Sequence, residues 1–272
     1  MTTYNPQLKF SADSIVSVPL FGIRIHDVTM EETLVWLARC LAGTEHHFLV
    51  TPNVDHIVRL HKDPEFRQVY QQASLVVTDG MPVLWGSWIV GKPLRARVPG
   101  SDLMLPACSV AANHGHSVFI LGGMPGVPDK AADNLQRLIP ELKIAGFYSP
   151  PFGFEKDANE NRKIIDMINA SGAKLLFVAL GAPKQEKWIA AHINSLNSVK
   201  VSLCVGAAVD FIAGNLERAP RWVQEMALEW VWRIFHDPKR LLKRYLVDDM
   251  AFIPIFIKEF FSSRIFKTSP RR

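Results

Sequence analysis

Short apolar runs alternate along the chain with longer segments in which apolar residues recur at helical spacing. The runs are HHFLVT at 46–51, SLVVT at 74–78, SVFILG at 117–122, LKIAGFY at 142–148, KLLFVAL at 174–180 and VKVSLCVG at 199–206. Each run predicts a strand, and the segments 101–114, 126–138, 157–171 and 183–195 predict helices. Strands that alternate with helices indicate the α/β class, with a Rossmann-like, mostly parallel sheet and helices on both faces.

The pattern changes after about residue 214. From ERAPRW at 217–222 onward, aromatic and aliphatic residues are mixed with Arg and Lys, which predicts helices and no strand. We therefore predict an α/β domain over 1–214 and a basic, amphipathic helical appendage over 215–272. Its most apolar stretch, MAFIPIFIKEFF at 250–261, is shorter than the ~20 residues that span a bilayer. It suits a membrane interface, and the alternative is packing on the sheet domain or on another subunit.

The excess positive charge lies in this appendage. Residues 218–272 hold 12 of the 31 Lys and Arg but only 6 of the 26 Asp and Glu, whereas the preceding residues carry a net charge of −1. This asymmetry indicates an anionic partner, such as nucleic acid, anionic lipid or a phosphorylated substrate, unless the segment is merely solvated. Cys40, Cys108 and Cys204 are far apart in the sequence, which predicts neither a disulfide framework nor a zinc cluster and favours a reducing compartment. The N-terminus lacks the charge and apolar order of a signal peptide.

Polar residues follow four of the predicted strands. They are Thr51 and Asn53 in VTPNVD, Thr78 and Asp79 in VTDGMP, Lys184 and Gln185 in GAPKQE, and Asp210 in VGAAVD. The carboxyl ends of parallel strands meet at one edge of a sheet, where ligands bind in such folds. Asp79 is either a functional carboxylate at a strand tip or the cap of a helix that begins near Pro82. The residues alone leave both interpretations open.

Several cofactor and metal motifs are absent from the sequence. The turn LGGMPG at 121–126 lacks the G-x-G-x-x-G spacing, which disfavours a nicotinamide dehydrogenase but leaves a Gly-rich turn near part of a nucleotide open. We find no P-loop, no D-x-D and no H-E-x-x-H, so we expect no metal and no cofactor. We also expect His46 and His47 to be solvated. A diphosphate would then be bound by Arg, Lys and backbone N–H groups.

Taken together, the motifs resemble a known family. TPNVDHIV, VVTDGMPV, RVPGSDLM, FILGG, VALGAPKQEKWI and the long stretch from VGAAVDFIAG to KRLLKRYL follow one another as in the WecG/TagA/CpsF glycosyltransferases, glycosyltransferase family 26. The resemblance covers roughly residues 18–247. One departure is Ala207 and Ala208 after Gly206, where the family often has a further glycine.

The resemblance implies an inverting, metal-independent glycosyltransferase. It would move a hexose or N-acetylhexosamine from a UDP-sugar to a polyprenyl-diphosphate-linked saccharide, in the synthesis of surface polysaccharide, teichoic acid or exopolysaccharide. It also implies a cytoplasmic protein, peripheral on the inner face of the cell membrane, whose basic segment meets anionic lipid rather than nucleic acid. A homo-oligomer is left open. Two alternatives from other classes are a nonenzymatic membrane adaptor that senses a nucleotide sugar and a nicotinamide-dependent oxidoreductase.

The resemblance also assigns roles to residues. It makes Asp79 the catalytic base and matches Thr51, Arg97 and Gln185 to further polar site residues. With the strand-end residues, the expected substrate-binding set is Thr51, Asn53, Arg97, Lys184, Gln185, Arg218, Arg221 and Arg233. Arg240 and Arg244 are further candidates from the appendage for binding the leaving diphosphate.

Overall fold

Six parallel strands form the central sheet, in a computed structural model that describes residues 15–220, 223, 226, 228–236 and 238–267. The strands are β3 (His47–Val50), β4 (Leu75–Val76), β5 (Ser117–Gly122), β6 (Lys143–Tyr148), β7 (Leu175–Ala179) and β8 (Val201–Cys204). Their order in the sheet is β4-β3-β8-β7-β5-β6. The predicted α/β class is confirmed, and each predicted strand is present, although SLVVT keeps only the two residues of β4.

Helices cover both faces of this sheet. They are α1 (Met30–Ala42), α2 (Val54–Lys62), α3 (Pro64–Gln72), α4 (Met81–Ile89), α5 (Gly100–Asn113), α6 (Val127–Leu138), α7 (Ala158–Ser171), α8 (Lys184–His192) and α9 (Ala208–Ile212). One buried apolar cluster joins the sheet to α1, α5, α6 and α9, and a second joins it to α2, α3, α4, α7 and α8. Because the inner strands β5, β7 and β8 are buried on both faces, they are mostly apolar rather than alternating.

An N-terminal hairpin lies beside the sheet and was not predicted. It pairs β1 (Ser17–Leu20) with β2 (Ile23–His26) in antiparallel register. Phe21 and Gly22 form its turn with φ of 52° and 82°, which matches the twist that two-residue hairpin turns require. Phe21 is only 1% exposed and lies against α4, where a side chain at Gly86 would collide with its ring. The hairpin is thus fixed to the body by its own turn.

Helices also form the part of the chain after α9 that the structure describes. They are α10 (Glu229–His236), α11 (Pro238–Lys243), a π-helical turn at Arg244–Asp248, a 3-10 turn at Asp249–Ala251 and α12 (Phe252–Lys267). The prediction of helices without strands holds for these residues, while the domain boundary at 214 stays a prediction. Within the described ranges, no helix combines the length and apolarity needed to cross a bilayer.

One face of α12 packs on the sheet domain. Phe252, Ile255, Phe256 and Phe260 contact the second apolar cluster, and the ring centroids of Phe21 and Phe252 are 5.0 Å apart. Two ion pairs also connect the appendage to the body. They join Glu259 to Lys92, with 2.6 Å between Oε1 and Nζ, and Arg244 to Asp55 in α2, with 3.3 Å between Nη2 and Oδ2. The packing alternative therefore holds for this face of the appendage.

Candidate active site

The loops that follow β3 and β4 meet at the carboxyl edge of the sheet. The backbone N–H of Asp79 donates to the carbonyl of Pro52 at 3.1 Å. The side-chain amide of Asn53 lies 3.5 Å from Asp79 Oδ2, at the long end of the hydrogen-bond range. The structure therefore brings together two of the predicted site residues, Asn53 and Asp79, from separate strand ends.

Asp79 is not the cap of the helix that follows it. The residue at the cap of α4 is Gly80, which has no side chain to accept a hydrogen bond there. The capping interpretation is therefore wrong, because the carboxylate stands one residue too early in the chain. Asn53, in contrast, does cap α2, and its Oδ1 accepts from the backbone N–H of His56.

Arg97 lies on a loop beside Asp79. The next residue, Val98, donates its N–H to the carbonyl of Thr78 at 2.6 Å, which fixes this loop against the end of β4. Arg97 is partly exposed, and within the described ranges no carboxylate lies at ion-pair distance from its guanidinium. Gly100, at the start of α5, lies so close to Val205 that a Cβ there would be 3.2 Å from the Val205 Cα. The loop that carries Arg97 thus lies between the ends of β4 and β8.

Two threonines lie beneath these loops. Thr51 is 7% exposed and Thr78 is 2% exposed. Thr78 Oγ1 is buried and makes no hydrogen bond within the part of the chain that the structure describes. Thr51 thus lies in the wall of the crevice rather than on its open surface.

The GAPKQE segment is oriented differently from what its polarity predicts. Lys184 Nζ lies 3.2 Å from Glu155 Oε2 and over the ring of Phe152, 5.3 Å from its centroid, so its charge is directed to the loop after β6. Gln185 is only 4% exposed, and its Nε2 donates to Glu186 Oε1 at 2.8 Å. Glu186, which the sequence analysis did not single out, has no exposed surface.

A second residue that sequence analysis did not single out, His56, is in contact with Glu186. His56 Nε2 lies 3.4 Å from Glu186 Oε1, and His56 Nδ1 lies 2.8 Å from Asn53 Oδ1. His56 stands three residues after Asn53, on the same face of α2, and that spacing is the only signal that sequence offers for it.

Only part of the predicted arginine set falls within the described structure. Arg218 pairs with Asp102 in the first turn of α5. Arg221 lies outside the described residues. Arg233 and Arg240 belong to α10 and α11, but their side chains lie outside what the structure describes.

Several helices begin at this edge without a side-chain cap. No side chain caps the first turn of α5, α6 or α8. Some first-turn N–H groups donate to backbone carbonyls, as Val127 does to Met124 and Gln185 to Gly181, and the helix dipole favours negative charge at these ends. Gly122, at the end of β5, has φ of 109° and lies against the Ala179 carbonyl, so no larger residue fits. This edge therefore offers both cations and backbone donors.

The described residues hold no metal cluster at this site, and the cavity beside α7 and α8 lies elsewhere. Within the described ranges, no group of three or more His, Cys, Asp or Glu residues is arranged to hold a metal ion. A cavity of about 590 Å³ is lined by residues of α7 and α8 such as Arg162 and His192, but by none of the predicted site residues. His46 is not solvated as expected, because its ring bonds Ser202 Oγ and the Ile193 carbonyl.

The fold and the site define an α/β protein with a carboxylate, an amide and an arginine at the carboxyl edge of a parallel sheet. Comparison with known families narrows this class. The chain belongs to the glycosyl transferase WecG/TagA/CpsF family, whose model matches residues 18–265. The expected resemblance is confirmed, and the chain is a glycosyltransferase.

Two curated relatives carry the same name, N-acetylglucosaminyldiphosphoundecaprenol N-acetyl-beta-D-mannosaminyltransferase. One, from Bacillus spizizenii, is 32% identical over 193 residues, which cover 71% of this chain and 72% of the relative. The other, from Staphylococcus aureus strain MRSA252, is 29% identical over 242 residues, which cover 88% of this chain and 90% of the relative. The similarity thus extends over most of both chains.

Proposed function

We propose that this chain transfers a hexose or N-acetylhexosamine from a UDP-sugar to a polyprenyl-diphosphate-linked saccharide. The observation that carries the proposal is the contact between Asp79 and Asn53 at the sheet edge, beside the loop of Arg97. Asp79 takes the proton of the acceptor hydroxyl while that oxygen attacks the anomeric carbon of the donor. Such general-base catalysis typically contributes ~10²- to 10⁴-fold to the rate. Asn53 holds the Oδ2 atom of this carboxylate.

The reaction is an inverting single displacement in this proposal. A bond forms between the acceptor oxygen and the anomeric carbon as the bond from that carbon to the UDP oxygen breaks, and UDP leaves with the electron pair. The names of the two relatives specify transfer of an N-acetyl-beta-D-mannosaminyl group, and one displacement on an α-linked sugar nucleotide gives the β configuration. N-acetylmannosamine is therefore our first choice of sugar and lipid-linked N-acetylglucosamine our first choice of acceptor, with glucose and other hexoses as alternative donors.

Charge on the leaving diphosphate is stabilised without a metal in this proposal. Arg97 is the first candidate, because within the described ranges no carboxylate neutralises it, and a charge-assisted contact to phosphate is about twice as strong as a neutral one. The uncapped first turns of α6 and α8 add backbone donors that are oriented before the reaction begins. Thr51, Lys184 and Gln185 complete the wall of the donor site.

Arginines of the appendage contribute to the same site in our proposal. Arg218 is in contact with Asp102, only five residues beyond Arg97 in the chain, which supports a location near the donor diphosphate. Arg221 follows three residues later, and Arg233 lies in α10. We propose that residues 215–272 form the appendage that completes the site when it is docked.

The outer face of α12 supports a peripheral membrane location. Ile253, Ile257 and Phe261 recur every four residues on this helix and are 47%, 48% and 60% exposed. Lys258 and Arg264 are exposed on the same helix. A row of apolar side chains flanked by cations suits the interface of an anionic bilayer, and each basic residue near the surface adds about 1 kcal/mol of attraction.

A neighbouring helix extends this face toward Asp79. Trp85, Trp88 and Ile89 of α4 are 40%, 48% and 57% exposed, and Gly86 of the same helix lies against Phe256 of α12. Since a helix rises 1.5 Å per residue, these side chains are only about 10–15 Å along the chain from Asp79. We propose that α4 and α12 meet the inner face of the cell membrane together, so that a lipid-linked acceptor reaches the base without leaving the bilayer.

A donor and acceptor panel tests the reaction. The full-length chain is incubated with UDP-N-acetylmannosamine, UDP-N-acetylglucosamine or UDP-glucose and a short-chain polyprenyl-diphosphate N-acetylglucosamine, in EDTA. Mass spectrometry identifies the product, and NMR of its anomeric carbon gives the linkage. We expect one donor to give a β-linked disaccharide with one UDP released per transfer. Absence of transfer from every UDP-sugar contradicts the proposed activity, and an α-linked product contradicts inversion.

Vesicle binding tests the location. We expect the chain to sediment with vesicles that contain phosphatidylglycerol, less with phosphatidylcholine alone, and less at high salt. Replacing Ile257 and Phe261 together by Ser reduces binding. Leu138→Ser is the matched control, because Leu138 is 59% exposed at the end of α6 and belongs to neither α4 nor α12. Equal binding by the double variant and the wild type contradicts a membrane role for α12.

A further inference from the structure

We propose that Glu186 and His56 are positioning residues that act through Asn53 on the carboxylate of Asp79. The inference rests on the proposed function, in which Asp79 is the base. Three contacts connect the four side chains in sequence: Glu186 Oε1 to His56 Nε2 at 3.4 Å, His56 Nδ1 to Asn53 Oδ1 at 2.8 Å, and Asn53 Nδ2 to Asp79 Oδ2 at 3.5 Å. The series joins the first turn of α8 to the first turn of α2 and to the end of β4.

The inner end of this series is fully buried. Glu186 has no exposed surface and His56 is 7% exposed. A buried carboxylate is costly unless it is paired and hydrogen-bonded, and here Gln185 and His56 supply the contacts. Burial, together with the nearby Glu186 carboxylate, raises the pKa of the Tyr70 phenol and of the Cys204 thiol well above their usual values. Both groups therefore stay protonated and neutral beside Glu186.

Donor and acceptor chemistry fixes the orientation of the Asn53 amide. Asn53 Oδ1 accepts from the His56 backbone N–H at 3.3 Å and lies 2.8 Å from the ring Nδ1. The ring Nδ1 accepts from the Asn53 backbone N–H at 3.3 Å in one tautomer and donates to Oδ1 in the other. If the amide were turned over, its oxygen would face the Asp79 carboxylate. The Asn53 NH₂ group therefore faces Asp79.

Glu186 holds the orientation of the His56 ring. Its Oε1 lies 3.4 Å from the second ring nitrogen, Nε2, so the ring is positioned with Nδ1 toward Asn53 Oδ1. Glu186 thus orients His56, His56 orients the amide of Asn53, and the amide holds one oxygen of Asp79. The contact to Asp79, at 3.5 Å, is at the long end of the hydrogen-bond range, and catalytic hydrogen bonds often shorten when substrate binds.

The variants are chosen to separate positioning from packing. His56→Leu removes the ring donors, whereas His56→Asn places an NH₂ group where Nδ1 stood. Because misplacement of a catalytic group by about 1 Å can cost ~10²-fold, we expect His56→Leu to lower kcat by roughly 10- to 100-fold. His56→Asn retains most of the rate, and the Kd for UDP stays near the wild-type value in both. Glu186→Met, which keeps the length of the side chain, lowers kcat in the same sense.

A double-mutant cycle gives the decisive result. If His56 acts only through Asp79, His56→Leu has no further effect on kcat in an Asp79→Asn background, and Glu186→Met has none in a His56→Leu background. Losses that multiply in the cycle overturn the inference. His46→Leu is the matched control, because His46 also makes two ring hydrogen bonds but stands before β3, at the opposite edge of the sheet. We expect it to lower Tm and leave kcat per folded molecule unchanged.

Two failures are distinguishable in this design. A wild-type chain that transfers no sugar contradicts the proposed function, and the inference falls with it. A wild-type chain that transfers sugar, together with a folded His56→Leu variant at the full rate, overturns the inference and leaves the proposed function intact. Tm and UDP binding, measured for every variant, identify any chain that has failed to fold.

Discussion

Asp55 makes one ion pair within the sheet domain and another with the appendage. This side chain is 4% exposed, and its carboxylate lies 2.8 Å from Arg59 Nε and 3.3 Å from Arg244 Nη2. Arg59 belongs to the same helix, whereas Arg244 stands in the π-helical turn 189 residues further along the chain. Replacing Asp55 by Asn keeps the shape and removes the charge on which both arginines converge.

The solvent exposure of Arg59 and Arg244 determines how much stability the Asp55→Asn substitution costs. Removing one partner of a fully buried pair costs about 3–5 kcal/mol, and an exposed i,i+4 pair is worth only about 0.3–0.5 kcal/mol. The side chains of Arg59 and Arg244 are 43% and 26% exposed, so each regains water when the carboxylate is removed. We therefore expect Asp55→Asn to lower the free energy of unfolding by about 2 kcal/mol, an intermediate value between these limits.

Urea unfolding of a four-member double-mutant cycle measures the coupling energy between Asp55 and Arg244 directly. The cycle contains the wild type, Asp55→Asn, Arg244→Gln and the double variant, and we expect a coupling energy of about 1 kcal/mol. The corresponding cycle with Arg59→Gln is the internal control and gives about half that value, because its pair is more exposed. A coupling between Asp55 and Arg244 that is indistinguishable from zero would refute the idea that this pair holds the appendage on the body.

The pH of this measurement matters because Asp249 lies nearby. Burial raises the pKa of the Asp249 carboxyl to about 6. The neighbouring carboxylates of Asp55 and Asp248 add to this shift, and the cations of Arg244 and Arg59 oppose it. The folded state therefore binds a proton more tightly than the unfolded state, and this stabilisation, present below about pH 4, is lost as pH rises through 6. Measurements at pH 7.5 avoid the titration of Asp249. Because its stabilising contribution is lost there, we expect Asp249 to make the wild type less stable at pH 7.5 than at pH 5.

Four further outcomes follow from the site and the fold. Asp79→Asn lowers kcat by ~10²- to 10⁴-fold and leaves UDP binding intact, so near-normal turnover removes Asp79 from the mechanism. Arg97→Ala weakens both UDP affinity and kcat, and transfer by the wild type persists in EDTA; loss in EDTA with rescue by Mg²⁺ contradicts a metal-free site. Truncation after Gly214 abolishes vesicle binding and also transfer to a water-soluble acceptor, and a folded truncation that keeps the full soluble rate limits the appendage to anchoring. Burial lowers the pKa of His46 to about 4, so stability present above about pH 6.5 is lost as pH falls toward 4, and His46→Gln flattens this part of the urea-midpoint profile.

The sequence was most informative about elements that are apolar and long. The strand over 117–122 and the helix over 157–171 are predicted almost to the residue, since burial on both faces or periodic packing leaves a clear pattern. The hairpin was missed because each of its strands has four residues, one contains Pro19, and no long apolar run marks either. The alternation of buried Ile23 and Ile25 with exposed Arg24 was a usable signal.

The candidate site was predictable only as far as strand ends. Asp79 and Asn53 stand directly after strands, so the meeting of their loops follows from parallel topology. Gln185 and Glu186 look solvated in the sequence, yet both are buried. Glu186 contacts His56, which is 130 residues away in the chain, and no local pattern records such a contact. The packing of helix ends against each other is determined by the tertiary structure. This packing decides which polar residues face the ligand.

The hairpin has a consequence for the integrity of the sheet. β4 is an edge strand, and unpaired backbone groups on an edge are a template for pairing with another chain. Here the outward N–H of Val76 donates to His26 Nδ1 at 2.9 Å, so an imidazole occupies the place where a seventh strand would add. Burial lowers the pKa of His26, which keeps the ring an acceptor. A chain shortened to begin at α1 would expose this edge two residues before Thr78, and its self-association would start beside Asp79.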